Sequence, residues 1–140
     1  MSKDTVQNSE SETLPRVMLI EDSPTITKII SKQLTELGYG HLSSYTGHGG
    51  VDLLKENPDI NILLLDLQLE KESGLDVMYQ LKTQFKNDER SFYVIAQTAF
   101  DTEDMQHRCQ NVGFSDFIGK PFTKDVLAEK LDKAIATLKV

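Results

Sequence analysis

The chain has 140 residues, 39% hydrophobic and 26% charged, as expected for one globular domain with a well-filled core. A net charge of −7 argues against direct binding to a nucleic-acid backbone or an anionic membrane. No apolar run reaches membrane-spanning length, and the polar N-terminus does not resemble a signal peptide. The single cysteine, Cys109, excludes an internal disulfide. Together these features predict a cytoplasmic protein.

The N-terminal part of the chain divides into a polar tail and a first strand–helix unit. Residues 1–14 are almost all polar and predict a disordered tail, so the folded domain is expected over 15–140. Residues 16–20 form a short apolar strand, and Ser23-Pro24 marks the start of a helix. Gly38 closes this helix. Its predicted inward residues, at helical spacing, are Ile26, Ile29, Ile30, Leu34 and Leu37.

The second unit contains a run of glycines. Residues 41–45 are a weaker strand candidate, and residues 51–54 are expected to form a short second helix. Between them, Gly47-His48-Gly49-Gly50 lacks the spacing of a phosphate-binding loop. We therefore interpret these glycines as a turn.

Residues 61–67 form a short apolar run without alternation, which predicts a strand buried on both faces of a parallel sheet. The run carries Asp66 at its carboxyl end, where ligands bind in open parallel sheets. A third helix is expected to begin at Gly74. Its predicted inward residues are Leu75, Met78, Leu81 and Phe85.

Two further strand–helix units complete the chain. Residues 92–96 predict a fourth strand that runs out to Thr98, and Asp101 is the predicted cap of a fourth helix ending at Gly113. This helix has a sparse apolar stripe, so most of it should face solvent or a partner. Residues 115–118 predict the fifth strand. The predicted inward residues of the last helix are Val126, Leu127, Leu131, Ala134, Ile135 and Leu138.

Five strands alternating with five helices predict an α/β fold, a doubly wound five-stranded parallel sheet covered on both faces. The simplest topology is flavodoxin-like, with strand order 2-1-3-4-5. In that order the first and third strands are neighbours. Glu21, Asp22 and Asp66 should therefore converge on one cleft.

Three neighbouring carboxylates repel one another, and a divalent cation relieves that repulsion. An all-oxygen site suits Mg²⁺. Thr98 and Lys120, at the ends of the fourth and fifth strands, add a hydroxyl and an ammonium at the same edge. Metal and lysine together suit phosphoryl transfer, with Asp66 as nucleophile. Taken singly, each residue also has a structural explanation, such as support of a helix N-terminus or a solvated surface charge.

The ordered set Glu21-Asp22, residues 62–66, residues 96–99 and residues 117–122 resembles the response-regulator receiver domains, the phosphoacceptor half of two-component signalling. The resemblance covers about residues 15–139. It implies that Asp66 accepts a phosphoryl group from a phosphohistidine donor. It also implies Mg²⁺ ligands, which are Glu21, Asp22, Asp66 and the backbone carbonyl of Gln68.

The resemblance further assigns roles around the phosphoryl group. Lys120 would pair with it, Thr98 would donate a hydrogen bond to it, and the Phe117 ring would turn inward when Thr98 is drawn towards it. The Lys120–Pro121 bond is expected to be cis. The chain departs from the family after the phosphoacceptor, where Leu69-Glu70 replaces a common Met-Pro pair.

The partners implied are a histidine kinase or histidine phosphotransfer protein and an unknown downstream protein, with no direct nucleic acid or membrane. Ile26, one turn into the first helix, is a candidate docking residue for the phosphohistidine donor, although it could equally belong to the core. The face formed by the fourth helix, fifth strand and fifth helix would respond to phosphorylation. A weak homodimer formed through this face is an alternative that the sequence leaves undecided. The sequence does not choose between a separate receiver and part of a larger regulator or hybrid kinase.

Three other functions compete. A flavodoxin-like FMN protein would need a hydroxyl- and glycine-rich loop where Glu21 and Asp22 stand. A haloacid-dehalogenase-type phosphatase would carry Asp-x-Asp, whereas Gln68 takes the third place here. A degenerate receiver that acts only as a docking module is the third. We rank it low because no required residue is missing.

Overall fold

The computed structural model describes residues 14–139, in which five strands alternate with five helices. The strands are β1 (Val17–Ile20), β2 (His41–Ser44), β3 (Ile62–Asp66), β4 (Tyr93–Thr98) and β5 (Asp116–Gly119). The helices are α1 (Pro24–Glu36), α2 (Gly47–Glu56), α3 (Gly74–Gln84), α4 (Glu103–Val112) and α5 (Lys124–Leu138). Of the tail predicted over residues 1–14, all but Leu14 lies outside the described residues.

All strands are parallel and lie in the order β2-β1-β3-β4-β5, which confirms the predicted flavodoxin-like topology. The strand order reverses between β1 and β3, so a crevice opens above their carboxyl ends. Ile20 is paired with Leu65, and Asp66 with Gln97. Thr98 is paired with Gly119, so the carboxyl ends of β1, β3, β4 and β5 follow one another along the same edge of the sheet.

The sheet has an apolar core on each face, because side chains of every central strand alternate between the two faces. Helices α2, α3 and α4 cover one face, and α1 and α5 cover the other. β3 is buried over its whole length, as its unbroken apolar run predicts. None of the helices within residues 14–139 combines the length and the apolar character needed to cross a membrane.

The glycines interpreted as a turn lie inside the first turn of α2, so that interpretation is wrong. α2 begins at Gly47, with the Thr46 hydroxyl as its N-cap. Close packing accounts for two of the glycines. A Cβ at Gly47 would lie 2.3 Å from Val77, and one at Gly50 would lie 2.5 Å from Ile20.

Helix boundaries and inward faces need three further corrections. α1 is capped by Ser23, as predicted, but Ile29 is 54% exposed, because the buried stripe runs through Ile30 and Leu34. Val126 is likewise exposed at the start of α5. The N-cap of α4 is Thr102, one residue after the predicted Asp101, since its hydroxyl accepts from the Met105 amide.

Candidate functional site

Three carboxylates meet at the carboxyl ends of β1 and β3. Asp66 is the last residue of β3 and is 2% exposed, and Glu21 and Asp22 directly follow β1. One carboxylate oxygen from each residue lies within 4.8 Å of the other two. The pairing of Ile20 with Leu65 produces this cluster, since it sets the residue after β1 beside the last residue of β3.

The Lys120 ammonium lies between two of these carboxylates. Its Nζ is 2.9 Å from Glu21 Oε1 and 3.2 Å from Asp66 Oδ1. Burial opposes the charge on Lys120, but the hydrogen bond to Glu21 and the charges of both carboxylates outweigh it and raise the pKa of Lys120. For Glu21, burial disfavours the negative charge and is the main cause of its raised pKa. A single ammonium offsets only part of the negative charge, so the cluster can accept a further cation.

Backbone amides hold the carboxylates in place. The Ser23 amide donates to Glu21 Oε2 at 3.1 Å, and the Gln68 amide donates to Asp66 Oδ1 at 3.0 Å. Asp22 accepts from the amide of Glu70. Each acidic side chain therefore has a fixed direction before any ligand arrives.

Thr98 ends β4 and Phe117 lies in β5, and among the described residues neither side chain forms a hydrogen bond with the carboxylate cluster. Thr98 is fully buried, and its hydroxyl accepts from the Phe100 amide at 2.9 Å, which leaves its own proton free to donate. Phe117 is half-buried in β5 and packs against the core under α3 and α4. The Lys120–Pro121 peptide is cis, the isomer that the resemblance implies.

A groove of about 450 Å³ opens between the cluster and α1. Asp66 and Lys120 lie at its acidic end. Its apolar wall includes Ile26, which is half-buried, and the exposed Ile29. Phe122 faces them from the segment after β5. The groove therefore joins a charged pocket to an apolar surface.

The model of the response regulator receiver domain matches residues 17–132, which include all ten elements except the end of α5. The chain belongs to the response-regulator receiver domain family. This match confirms the resemblance that the four sequence motifs indicate.

Relatives of the receiver include bacterial and fungal signalling proteins. A chemotaxis protein CheY homolog of Campylobacter jejuni is 28% identical over 123 residues, covering 87% of this chain and 93% of its own length. Histidine protein kinase 1 of Candida albicans is 30% identical over 130 residues, 88% of this chain but only 5% of the kinase. The receiver is therefore similar both to separate proteins and to one part of a large kinase.

A solved structure shows the same fold. The receiver domain of Saccharomyces cerevisiae Ssk1, crystallised with the histidine phosphotransfer signaling protein Ypd1, matches with a TM-score of 0.76 and 21% identity. The match covers 84% of this chain and 88% of that one. This match shows the shared fold, and the family match makes the chain a receiver domain of two-component signal transduction.

One feature of the receiver was not found in the sequence. The segment after Asp66, residues 67–73, carries Glu72, whose carboxylate accepts from the Gly47 amide at 2.9 Å and from the Gln80 side chain at 3.3 Å. In the sequence, Glu70, Lys71 and Glu72 stand out only as consecutive charges after Asp66. A contact 25 residues distant, between a loop and a helix end, leaves no local pattern that could have revealed it.

Proposed function

We propose that the receiver takes a phosphoryl group onto Asp66 from a phosphohistidine donor, with Mg²⁺ as cofactor. The observation that carries this proposal is the position of Asp66. It is buried at a strand end, 3.2 Å from the Lys120 ammonium and at the head of an open groove. A carboxylate that only ended a strand would need neither a lysine nor two further carboxylates beside it.

The donor set fits Mg²⁺. Glu21, Asp22 and Asp66 offer three carboxylate oxygens within 4.8 Å of one another, and Mg²⁺ prefers oxygen ligands. The exposed Gln68 is two residues beyond Asp66, and its backbone carbonyl is the further ligand that the resemblance implies. When bound, Mg²⁺ offsets the negative charge of the phosphoryl oxygens.

The proposed transfer is a displacement at phosphorus. An Asp66 carboxylate oxygen forms the new P–O bond as the P–N bond to the donor histidine breaks. The electron pair of that bond stays on the imidazole nitrogen, which takes a proton from solvent. Lys120 then exchanges part of its pairing with Asp66 for a phosphoryl oxygen, and it needs little reorganisation because it is already within 3.2 Å.

The downstream response would pass through Thr98 and Phe117. The Thr98 hydroxyl has a free proton, so it can donate to a phosphoryl oxygen on Asp66 in the neighbouring strand. Movement of Thr98 would then vacate space into which the Phe117 ring can turn. The face formed by α4, β5 and α5 would change shape for a downstream partner, which is a population shift between two states.

The phosphohistidine donor would dock on the groove wall. Ile26 and Ile29 present apolar area on α1 next to Asp66, and Phe122 adds to it from the other side. The Ssk1 receiver was crystallised with a histidine phosphotransfer protein, which supports a donor of the same class for this chain. We also propose that the folded receiver extends over residues 15–140.

Acetyl phosphate with Mg²⁺ provides the test, because it supplies a phosphoryl group without a protein donor. The intact mass of the wild type should rise by one phosphoryl group. Asp66→Asn should show no such rise, since the amide is nearly isosteric but not nucleophilic. Asp52→Asn, which changes an exposed carboxylate on α2, is the matched control and should behave as the wild type. Modification of Asp66→Asn would refute the assignment, and an unmodified wild type would favour a docking module.

A further inference from the structure

The segment that joins β3 to α3, residues 67–73, is called here the β3–α3 loop. It contains no proline and three consecutive charged residues, yet it is held at several points. Gln68 forms an isolated antiparallel bridge with Ser73, and the Glu70 amide donates to Asp22. Ser73 in turn caps α3. The stiffness that a proline would give is replaced by contacts with other parts of the chain.

Glu72 connects the β3–α3 loop to the start of α2. Its Oε2 accepts from the Gly47 amide at the start of α2, and its Oε1 accepts from the Gln80 amide on α3. A carboxylate at a helix N-terminus is electrostatically favourable. Glu72 therefore ties the β3–α3 loop to two helices at once.

Gly47 provides the room for this contact. A Cβ at Gly47 would lie 2.9 Å from Glu72 Oε1, so any larger residue would push the carboxylate away. The glycine and the glutamate fit each other. The same glycine therefore admits both Val77, which a Cβ would approach to 2.3 Å, and the carboxylate of Glu72.

We propose that Glu72 is a positioning residue for the metal site, acting through the β3–α3 loop. By holding one end of the loop to α2, it fixes the other end, where Gln68 bonds Asp66 and Glu70 bonds Asp22. The loop path is thereby set before the metal binds. The inference rests on the proposed function, since it concerns the same Mg²⁺ site.

Three variants separate position from charge. Glu72→Ala removes both the acceptor and the charge, whereas Glu72→Gln removes the charge but keeps an oxygen that can accept from Gly47. Glu56→Ala is the control, because it removes one exposed negative charge from the other end of α2. Two measurements apply to each protein. One is amide hydrogen exchange over residues 46–50 and 67–74 without metal, and the other is the Mg²⁺ concentration that half-saturates phosphorylation by acetyl phosphate.

In Glu72→Ala, the backbone amides of both segments should exchange faster. The half-saturating Mg²⁺ concentration should rise about tenfold, which is the lower end of the loss in metal affinity found when groups that orient metal ligands are removed. Glu72→Gln and Glu56→Ala should stay near the wild type in both measurements. Equal values for Glu72→Ala and Glu56→Ala would overturn the inference, as would unchanged exchange in Glu72→Ala. Equal effects of Glu72→Ala and Glu72→Gln would overturn it in favour of charge alone. A wild type that takes no phosphoryl group would instead overturn the proposed function, and the inference with it.

Discussion

Lys120 is the only cation within hydrogen-bond distance of the carboxylate cluster in the part of the chain that the structure describes. Its side chain is 15% exposed and that of Glu21 only 1%, so removal of the ammonium leaves buried negative charge uncompensated. We expect Lys120→Met to lower the free energy of unfolding by about 3 kcal/mol at neutral pH without metal. Chemical denaturation in the presence of a chelator measures this.

The pH dependence of that loss has a definite sign. The pKa of Glu21 is already raised, chiefly by burial, and Lys120 opposes this rise. In Lys120→Met the pKa of Glu21 rises further. A carboxyl whose pKa is raised in the folded state lowers the stability of the fold at high pH, where it is ionised, and not at low pH, where it is protonated in both states. The gap in stability between wild type and variant should therefore shrink as the pH falls through the raised pKa of Glu21. A gap that widens on acidification would contradict this account.

Gln97 is fully buried in β4 beside Asp66, and neither atom of its side-chain amide has a hydrogen-bond partner within residues 14–139. An unpaired buried amide costs about 1–3 kcal/mol. Gln97→Met keeps a similar volume without that penalty and should raise the free energy of unfolding by about 1 kcal/mol. Thermal and urea unfolding provide the measurement. Destabilisation by this substitution would show that the amide is satisfied by a buried water.

In the proposed function, Thr98 couples the phosphoryl group on Asp66 to the face formed by α4, β5 and α5. Thr98→Ala should still be phosphorylated on Asp66, but the response of residues 101–122 should weaken. The variant lacks the hydroxyl that would donate a hydrogen bond to the phosphoryl group. Amide hydrogen exchange over those residues, with and without beryllofluoride as a stand-in for the phosphoryl group, measures the response. If wild type and Thr98→Ala respond equally, the coupling of Thr98 and Phe117 is not the route of the signal.

Helix α1 is the element that faces the donor in the proposed function. Ile26→Ala should slow transfer from a phosphohistidine protein severalfold while transfer from acetyl phosphate keeps its rate, because only the protein donor needs the apolar wall. Tyr79→Ala, on the outer surface of α3 and 71% exposed, is the control and should change neither rate. Stopped-flow or quenched transfer assays with both donors give the comparison. Equal slowing with both donors would refute a docking role for Ile26.

The sequence predicted whole elements well where one physical pattern dominates. The apolar run of β3 predicted a strand buried on both faces, and Ser23-Pro24 located the start of α1. Contacts between elements decided the rest. Ile29 and Val126 fit a helical stripe but lie beyond the area that the sheet can cover.

The glycines of α2 and the carboxylate of Glu72 were missed for the same reason. Gly47 and Gly50 occupy helical positions at which Val77 and Ile20 leave no room for a side chain. Neither of these close approaches has a local signal in the sequence. The candidate site was more accessible to prediction. Its residues follow the ends of parallel strands, and strand order alone brings such ends together.

The two edges of the sheet differ across the whole molecule. The carboxyl edge collects buried polar side chains, including Glu21, Asp66 and Thr98. Near the amino edge, Arg90 lies against the rings of Phe85 and Phe92. It donates to one carbonyl in the last turn of α2 and to two carbonyls that follow this helix, those of Leu54, Asn57 and Ile60. One edge is thus arranged for chemistry, and the other holds helices and loops in place. In the proposed function, a phosphoryl group at the carboxyl edge would bias the face formed by α4, β5 and α5 while the opposite edge stays fixed.

Transfer from a phosphorylated histidine phosphotransfer protein, followed by peptide mapping of the modified residue, tests the central claim most directly. We predict that the phosphoryl group moves to the receiver only when Mg²⁺ is present and that it resides on Asp66 alone. Asp66→Asn should bind the donor as the wild type does but should leave the phosphoryl group on the donor histidine. Transfer that persists in a chelator, or a phosphoryl group found on any residue other than Asp66, would contradict the account.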